Sequence, residues 1–572
     1  MQIRHQQLNP TIGDLINNKK LILDAISLAE EDGIDILLLP ELITCGYPPM
    51  DLLEREIFRD LLYQVNMEVT AATGNTAVVY GSITKNDSGK GRKCFNSAIV
   101  AQHGKEISRI HKSLLPTYDV FDDLRYFEPG LDFEPVLING FSFGITVCED
   151  IWYNSSEMQY HLYEINPAAL LAEQGAKAII NISASPFSKY SPVARKGMLQ
   201  RHAEEVNLPL FYVNQVGAQT ELIFDGDSLA IGGSGEIFAR SKRFVPDIMD
   251  VTFDEKNGRI TPTSNEQKDQ GEPVEQVMFE ALVLGLKDYL KKTKAADKVV
   301  LGLSGGIDSA LVCTIAVEAL GAENVLAVTM PSEFSSEGSV NDSQILAENL
   351  GIELLEIPIK SIYENFLEQL APVFEGTEFG LAEENLQSRS RGILLMAIAN
   401  KFGYILLNTG NKSEMAVGYC TLYGDMAGGI SVISDVYKTE VYSICNWLNE
   451  VYFQQEIIPN EIIEKEPSAE LRPDQKDSDS LPDYEILDTI LKLYIEQQLS
   501  RNEIIQQGMD EKIVDRVLKL VDLNEYKRNQ APPGFKVSVK AFGTGRRWPL
   551  AQQWTGQEKR LILTEKKEKS RR

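Results

Sequence analysis

The chain has little histidine and no pairing pattern among its cysteines. All five histidines (His5, His103, His111, His161 and His202) fall in the first half, so chemistry in the second half must run on metal, lysine and carboxylate. The six cysteines (Cys45, Cys94, Cys148, Cys313, Cys420 and Cys445) are scattered, with no CxxC and no ligand spacing to histidine. That usage suggests neither a disulfide framework nor a zinc site and fits a reducing compartment, so a cytoplasmic protein is expected. No apolar run reaches the roughly 18 residues that a spanning helix needs. The opening MQIRHQQLNP carries no basic-then-apolar signal, so neither export nor membrane insertion is expected. Basic charge is also scarce: 56 Lys and Arg stand against 83 Asp and Glu, a net charge of −27. Such a balance repels phosphate backbones and anionic lipid, which argues against nucleic-acid and membrane partners. Any anionic substrate must then find a local cationic pocket.

What is present is core material. With 572 residues, 43% of them apolar, the chain has enough to bury for two to four domains. Short apolar runs (IDILLLP from Ile34, TAVVYGSI, FGITVC, KAIINIS, LPLFYV) alternate with helical stretches such as 14–31 and 167–174, the pattern of a layered α/β domain. From about Asp254 to Glu275 the sequence turns polar, collecting Pro, Gly, Asn and charge, as a linker does. The resulting division is a first domain over 1–262, a linker over 263–274 and a second domain over 275–572. In the second, KVVLGLS, a helix over 308–320, NVLAVTMPS, a helix over 339–350, IELLEIP, a helix over 383–401 and YILLN alternate as in doubly wound parallel sheets. The charged, proline-containing segment from Glu464 to Asp483 is expected to be a mobile surface loop, not a packed element. The closing KKEKSRR is expected to be a frayed tail.

The sharpest local feature is SGGIDS, Ser304 to Ser309, between the strand VVLGL and a helix. Gly305 and Gly306 let backbone amides turn toward a ligand, the hydroxyls of Ser304 and Ser309 can donate, and the helix presents its positive end to phosphate. Asp308 inside such a cradle makes sense mainly with a divalent cation between carboxylate and phosphate. The alternative is a glycine turn with an aspartate cap. The hexapeptide resembles the pyrophosphate loop of N-type ATP pyrophosphatases, which adenylylate a carbonyl or carboxylate oxygen; the Walker pattern GxxxxGK[ST] is not found there. Within that group, MPSEFSSEGSVNDS, ENLQSRSR, NTGNKSEMAVGYCTLYGD, VYKTEVY and KRNQAPPGFK resemble the NAD synthetases over nearly the whole second half. The resemblance implies Asp308 and Glu414 on magnesium. It places Met330, Thr409, Lys438 and Ser468 with the loop on ATP. It further implies Asn385, Arg389, Arg391, Glu414, Asp425 and Lys527 on the deamido dinucleotide, where guanidinium groups suit phosphate. Taken alone, Arg389 and Arg391 could be solvated helix charges and Glu414 a helix-terminus acid.

In the first half, Glu41 follows the strand ILLLP, Lys112 lies in RIHKSLLPTYDVFDD and Cys148 ends FGITVC. A carboxylate can take a thiol proton while an ammonium stabilises the tetrahedral oxyanion, so these three types suffice for amide hydrolysis. A lone cysteine is more often a small buried hydrophobe; the polar Glu149 and Asp150 straight after the strand lift Cys148 above that. An N-terminal-nucleophile glutaminase would need cysteine at position 2, which is Gln2. A Cys-His-Glu amidotransferase would flank its cysteine with glycine, and Thr146 to Asp150 holds none. LPELITCGYP, HKSLLPTY and VCEDIW resemble the nitrilase superfamily, and NISASPFS resembles its glutamine-hydrolysing members fused to NAD synthetase. The resemblance implies Cys148 as nucleophile, Glu41 as base, Lys112 as electrostatic partner, and Tyr118 and Ser185 beside glutamine. The further basic residue is either Lys189 or Arg195. Two departures stand out: Asp123 occupies a position where family members often carry glutamate, and the stretch after Trp152 is longer than usual.

The fold implied is a nitrilase-like α-β-β-α sandwich followed by a doubly wound parallel-sheet domain of the adenine nucleotide alpha hydrolase type. The activity implied is ATP-dependent amidation of nicotinic acid adenine dinucleotide with ammonia from glutamine, with Mg2+ as cofactor, in a homo-oligomer, an octamer by family resemblance. Two rivals are another ATP pyrophosphatase acting on a different carboxylate or on tRNA, and a non-catalytic nitrilase-like sensor.

Overall fold

The computed structural model describes residues 1–153, 162–263, 271–473 and 475–552. The chain divides into two compact units, Met1–Glu272 and Pro273–Arg572.

Among its described residues the first unit has fifteen strands. They are β1 Gln2–Gln7, β2 Ile36–Leu38, β3 Ala77–Lys85, β4 Cys94–Gln102, β5 Lys105–His111, β6 Val136–Ile138, β7 Phe141–Val147 and β8 Ala178–Ser183. The remainder are β9 Leu210–Asn214, β10 Val216–Gln219, β11 Leu222–Asp225, β12 Leu229–Ile231, β13 Ile237–Arg240, β14 Asp247–Asp254 and β15 Arg259–Pro262. They form a seven-stranded sheet ordered β15-β14-β1-β2-β3-β4-β5, a six-stranded sheet ordered β13-β12-β9-β8-β7-β6 and the hairpin β10-β11. The two larger sheets face one another. Ile3, Leu38, Val79 and Val100 of one meet Phe143, Ile145, Ile180 and Val213 of the other in a single buried cluster. Helices α1 Leu15–Glu31 and α2 Glu56–Ala71 cover the outer face of the first sheet. Helices α3 Pro167–Glu173 and α4 Ser191–Val206 cover the second. This is the expected α-β-β-α sandwich. Strands buried on both faces read as continuous apolar runs, which is why IDILLLP and KAIINIS were legible as strands.

The polar stretch from Asp254, of which 263–274 was the expected linker, begins as sheet within the first domain: Arg259–Pro262 pairs antiparallel with β14, from Val251↔Pro262 to Asp254↔Arg259. Alternation in RITP is too short to outweigh its polarity in a sequence window. Residues 264–270 of the expected linker, most of the added stretch after Trp152 and the closing KKEKSRR lie outside the described residues.

The second unit opens with α5 Val274–Thr293 and then builds a sheet of five strands: β16 Val299–Gly302, β17 Val325–Thr329, β18 Glu353–Glu356, β19 Ile405–Asn408 and β20 Ile430–Ser431. Their order is β18-β17-β16-β19-β20 and all pairings are parallel. The sheet is doubly wound, with β16 at the point where strand order reverses, where ligands bind beyond the strand ends. Helices α6 Ile307–Leu320, α7 Glu337–Leu350 and α8 Leu381–Phe402 connect the strands. The segment 464–483 departs from expectation. It is packed: Asp477 and Leu481 are buried, and Leu481 joins an apolar cluster with Tyr437, Leu487 and Val517. Its charge misled because two of its acids, Glu470 and Asp477, have partners within the fold.

Candidate functional site

In the first unit the chemistry gathers at the carboxyl ends of β2, β5 and β7. Glu41 is fully buried just beyond β2. Its Oε1 accepts from Asn96 Nδ2 at 2.7 Å and from Lys112 Nζ at 3.0 Å, and its Oε2 from the Ala184 amide at 2.9 Å. The strand beneath it must be glycine at Gly81, since a Cβ there would lie 2.3 Å from the Leu42 nitrogen and 2.5 Å from the Glu41 Cα. Lys112, 1% exposed, also reaches Asp123 Oδ2 at 2.7 Å. Asp123, the shorter acid noted from sequence, thus still meets the lysine, and its other oxygen accepts from Tyr47 Oη at 3.0 Å. Burial opposes the charge of Lys112, yet Asp123 and Glu41 outweigh it and hold the ammonium well above its ordinary range. Burial first, then the charge of Glu41, pushes Asp123 upward against the pull of Lys112.

Cys148 sits on the turn after β7 with φ 46°, a left-handed conformation that a non-glycine residue adopts only when its surroundings impose it. Its thiol is buried, and burial followed by the charge of Glu41 raises it well above its ordinary range, against Lys112. The resting group is therefore a thiol, and attack requires a base at the moment of reaction. Next to it, Glu149 accepts from Tyr118 Oη at 2.9 Å and Tyr163 Oη at 2.8 Å, and burial lifts its carboxyl to about 7. Asp150 is structural: it accepts from the amides of Ser113, Leu114 and Val147 and is raised to about 6 by burial.

Of the residues expected beside glutamine, Tyr118 is on Glu149. Ser185 is buried, its amide donating to Asn214 Oδ1 at 2.9 Å. Lys189 is buried with its Nζ 5.3 Å from the Tyr190 ring centroid. Arg195 is already engaged: fully buried, it pairs with Asp225 at 2.6 Å and Asp227 at 3.3 Å.

In the second unit a cavity of about 310 Å3 opens beyond β16 and β19 and is lined by the whole SGGIDS loop except Gly305. Gly305 has φ +76°, and a Cβ on it would strike the Ser339 carbonyl oxygen at 2.3 Å. Ser309 Oγ lies 3.1 Å from Ser304 Oγ, and the Gly306 amide donates to Ser304 Oγ at 3.3 Å. Asp308 Oδ1 accepts from Asn411 Nδ2 at 2.9 Å, and its Oδ2 pairs with Lys438 Nζ. Lys438 also stands 3.5 Å from Glu414 Oε1. Burial works against the Lys438 ammonium, but Asp308 and Glu414 together raise it well above its ordinary range. Burial and then Asp308 push the Glu414 carboxyl up to about 8. One lysine therefore serves two acids, and a further cation would let Glu414 ionise as well.

Met330, Thr409, Ser468, Asp425 and Arg391 also line this cavity. Arg391 Nε donates to the Met330 carbonyl at 3.0 Å, and burial lowers its guanidinium to about 10. Asp425, raised by burial, accepts from the Thr421 amide at 2.6 Å and from Ser388 Oγ at 3.2 Å. Asn385, Arg389 and Lys527 do not line the cavity. They hold the 418–425 loop instead: Thr421 Oγ1 donates to Asn385 Oδ1 at 2.7 Å, Arg389 Nε to the Leu422 carbonyl at 3.2 Å, and Lys527 Nζ to the carbonyls of Gly418 and Cys420, both at 2.7 Å. Sequence reasoning missed Asn96, Tyr163, Asn411, Lys465 and Glu470. Asn411 had a signal, as a helix cap three residues before Glu414; the others are brought in from distant segments.

Comparison with known proteins matches residues 2–261 to the carbon-nitrogen hydrolase family and residues 278–531 to the NAD synthase family. The glutamine-dependent NAD(+) synthetase of Synechocystis is 46% identical over 96% of this chain and 98% of its own length. That of Thermotoga maritima is 43% identical over 97% and 99%. Among solved structures, the glutamine-dependent NAD+ synthetase of Acinetobacter baumannii, in complex with adenosine diphosphate, superposes with a TM-score of 0.76 at 35% identity, covering 97% of this chain and 99% of that one.

Proposed function

The chain belongs to the glutamine-dependent NAD(+) synthetases, and from that premise we propose how its own residues divide the work. The overall reaction is glutamine-dependent NAD synthesis. In the first unit Cys148 Sγ attacks the glutamine carboxamide carbon while Glu41 takes the thiol proton. Lys112 faces the oxyanion that develops on the carbonyl oxygen. Collapse releases ammonia, with the proton returned from Glu41, and leaves a thioester. Glu41 then deprotonates water for attack on that thioester, freeing glutamate and the thiol. Glu149, which accepts from two phenols and not from a cation, is suited to the α-ammonium of glutamine. Lys189 suits its α-carboxylate, since Arg195 is committed to Asp225 and Asp227.

In the second unit the nicotinate carboxylate of the deamido dinucleotide attacks the α-phosphorus of ATP, and pyrophosphate leaves into the SGGIDS loop. Ammonia then attacks the adenylylated carbonyl, and AMP departs. Thr409, Lys438 and Ser468 hold the triphosphate. Asp425 and Arg391 line the dinucleotide side, and Asn385, Arg389 and Lys527 fix the 418–425 loop that frames it.

Asp308 and Glu414 fit a magnesium ion: they are oxygen donors on one cavity wall, with a single lysine between them, and burial and Asp308 hold the Glu414 carboxyl at about 8 until a further cation lets it ionise. Among the described residues no cluster of three or more metal-ligating side chains occurs, so phosphate oxygens and water would supply the remaining ligands, as is usual for magnesium. When bound, the ion neutralises phosphate charge.

The observation that carries this division is the lysine set between two acids at both sites, one beside a buried thiol and the other beside a phosphate loop. The test is direct. Purified protein with ATP, magnesium and the deamido dinucleotide forms NAD from either glutamine or ammonia. Cys148→Ala loses the first and keeps the second; loss of both overturns the division of labour. A cytoplasmic homo-oligomer, octameric by family resemblance, completes the reading, and light scattering on the eluted protein checks its size.

A further inference from the structure

The segment that closes one side of the ATP cavity is tied down at an unusual point. Lys465 to Leu471 all line the cavity, Ser468 among them. Within it Glu470 has φ 48°, a left-handed backbone that costs energy for a branched-out acid and persists only if something holds it. Its carboxylate provides the hold. Oε2 accepts from the Ser336 amide at 3.3 Å, and Oε1 accepts from Ser336 Oγ at 3.1 Å, Ser339 Oγ at 2.8 Å and Lys465 Nζ at 2.7 Å. Lys465 Nζ also contacts Ser339 Oγ. Ser336 is the cap of α7, a helix of 14 residues, so the carboxylate sits where the helix dipole favours an anion. The other end of the contact leads to the phosphate loop: the Ser339 carbonyl is the atom that forbids a side chain at Gly305. Behind Glu470, its amide donates to Ser468 Oγ at 3.1 Å, Ser468 Oγ donates to the Gln475 carbonyl at 2.6 Å, and the Leu471 carbonyl accepts from Gln387 Nε2 at 2.8 Å.

We propose that Glu470 and Lys465 are positioning residues for the synthetase reaction: they latch segment 465–471 onto the start of α7, so that Ser468 faces the SGGIDS loop before ATP arrives. The proposal rests on the reading of this cavity as the ATP site. Neither side chain touches a reacting atom in this role. With the latch intact, the ordering of this wall is prepaid; without it, the cost falls on ATP binding, and the apparent affinity drops by the fraction of molecules with the wall in place. At saturating ATP the wall is ordered by the ligand, so turnover is preserved.

The bland alternative is a half-exposed ion pair between residues five apart, which contributes little. The two differ in a way that can be measured. Steady-state NAD formation is followed with ammonia as nitrogen source, saturating dinucleotide and varied ATP. Glu470→Gln, which keeps size and some hydrogen bonding, is expected to raise KM for ATP about tenfold with kcat within about twofold of the parent. Lys465→Gln shifts KM in the same direction. Trypsin cleavage after Lys476 accelerates in Glu470→Gln and is slowed by ATP. The charge swap K465E/E470K does not recover, because it sets an ammonium against the positive end of α7. An unchanged KM in Glu470→Gln, or recovery in the swap, overturns the latch. The parent assayed alongside separates the two ideas: if it forms no NAD, the function reading fails and takes the latch with it; if it does, the variants judge the latch alone.

Discussion

Replacing Lys112 with methionine removes the one cation between two buried acids and separates what that cation does for stability from what it does for catalysis. Lys112 Nζ stands 2.7 Å from Asp123 and 3.0 Å from Glu41, with all three groups at most 5% exposed. A unit-charge pair at such a distance attracts by about 6 kcal/mol at an effective dielectric near 20. Desolvation offsets much of this, and removing one partner of a buried pair typically costs about 3–5 kcal/mol. Lys112→Met should lose stability in that range. It also strips the oxyanion of its nearest positive charge, a loss of about 10²–10³ in rate. The variant answers with a proton. Asp123, already held above its ordinary range by burial and by Glu41, rises further when Lys112 is gone. A carboxyl whose folded value is raised contributes no penalty below its unfolded value and a growing one as pH climbs toward the folded value. The stability deficit of Lys112→Met against the parent should therefore be small near pH 4 and widen toward neutrality. Lys112→Met/Asp123→Asn should recover most of the stability and none of the glutaminase activity. Denaturant unfolding at several pH values reads the first, and glutamate release and glutamine-dependent NAD formation read the second, with ammonia-dependent synthesis as control. Glutaminase turnover within tenfold of the parent in Lys112→Met would refute the role given to this lysine.

Gly81→Ala forces a Cβ to within 2.3 Å of the Leu42 nitrogen; the displaced Glu41 should cut glutamine hydrolysis at least about tenfold, the scale of a base misplaced by a fraction of an ångström, while ammonia-dependent synthesis holds. His5, fully buried on β1 with its ring 5.8 Å from that of Phe211, is lowered by burial to about 3. Its folded value lies below its unfolded one, so the unfolded chain binds more protons and stability falls as pH drops through 6.5. The loss at pH 3 is at most about 4–5 kcal/mol, and His5→Phe should flatten that slope in acid unfolding curves.

Periodicity made the parallel strands and their helices legible, because strands covered on both faces must be apolar throughout. The resemblance of short segments carried the candidate chemistry to Glu41, Lys112, Cys148 and SGGIDS. What failed was anything in which polarity was read as exposure. RITP sits at the start of a polar stretch although within the expected first domain, and an edge strand needs only alternate residues inward. The acids of 464–483 looked solvated, yet Glu470 is paired with Lys465 and two serines at the start of α7, and Asp477 accepts from Tyr484 at 2.8 Å. Charge at a position reports nothing about partners that the fold brings from far along the chain. Asn385, Arg389 and Lys527 show the converse. Their types suit an anionic ligand, but their polar groups reach backbone carbonyls and a threonine of the 418–425 loop, so they shape the cavity wall without lining it.

The same small device occurs three times with different outcomes, and its surroundings decide which. Lys112 lies between Glu41 and Asp123, Lys438 between Asp308 and Glu414, and Lys412 between Asp435 at 2.9 Å and Glu496 at 2.8 Å. Each burial would be prohibitive for an isolated charge, and each lysine carries two acids that hold it protonated. Around Lys412 the remaining valences are closed by Ser538 Oγ at 2.6 Å and the Lys540 carbonyl at 2.9 Å, and nothing faces the cavity; this copy can only tie the chain together. Around Lys438 both acids line the cavity beside the phosphate loop. Burial and then Asp308 lift Glu414 to about 8, so a further cation arriving with phosphates would let its carboxyl ionise; on the proposed reading this makes the site a receptor for such a cation. Around Lys112 lies the Cys148 thiol, itself raised by burial and then by the same Glu41. On the proposed reading, two acids and one ammonium there leave Glu41 to accept the thiol proton as an oxyanion forms for the lysine to face. The charge count is identical in all three. On the proposed reading, what the third side of the triangle meets, a closed shell, a phosphate cavity or a strained thiol, makes it a staple, a magnesium site or a proton-transfer centre.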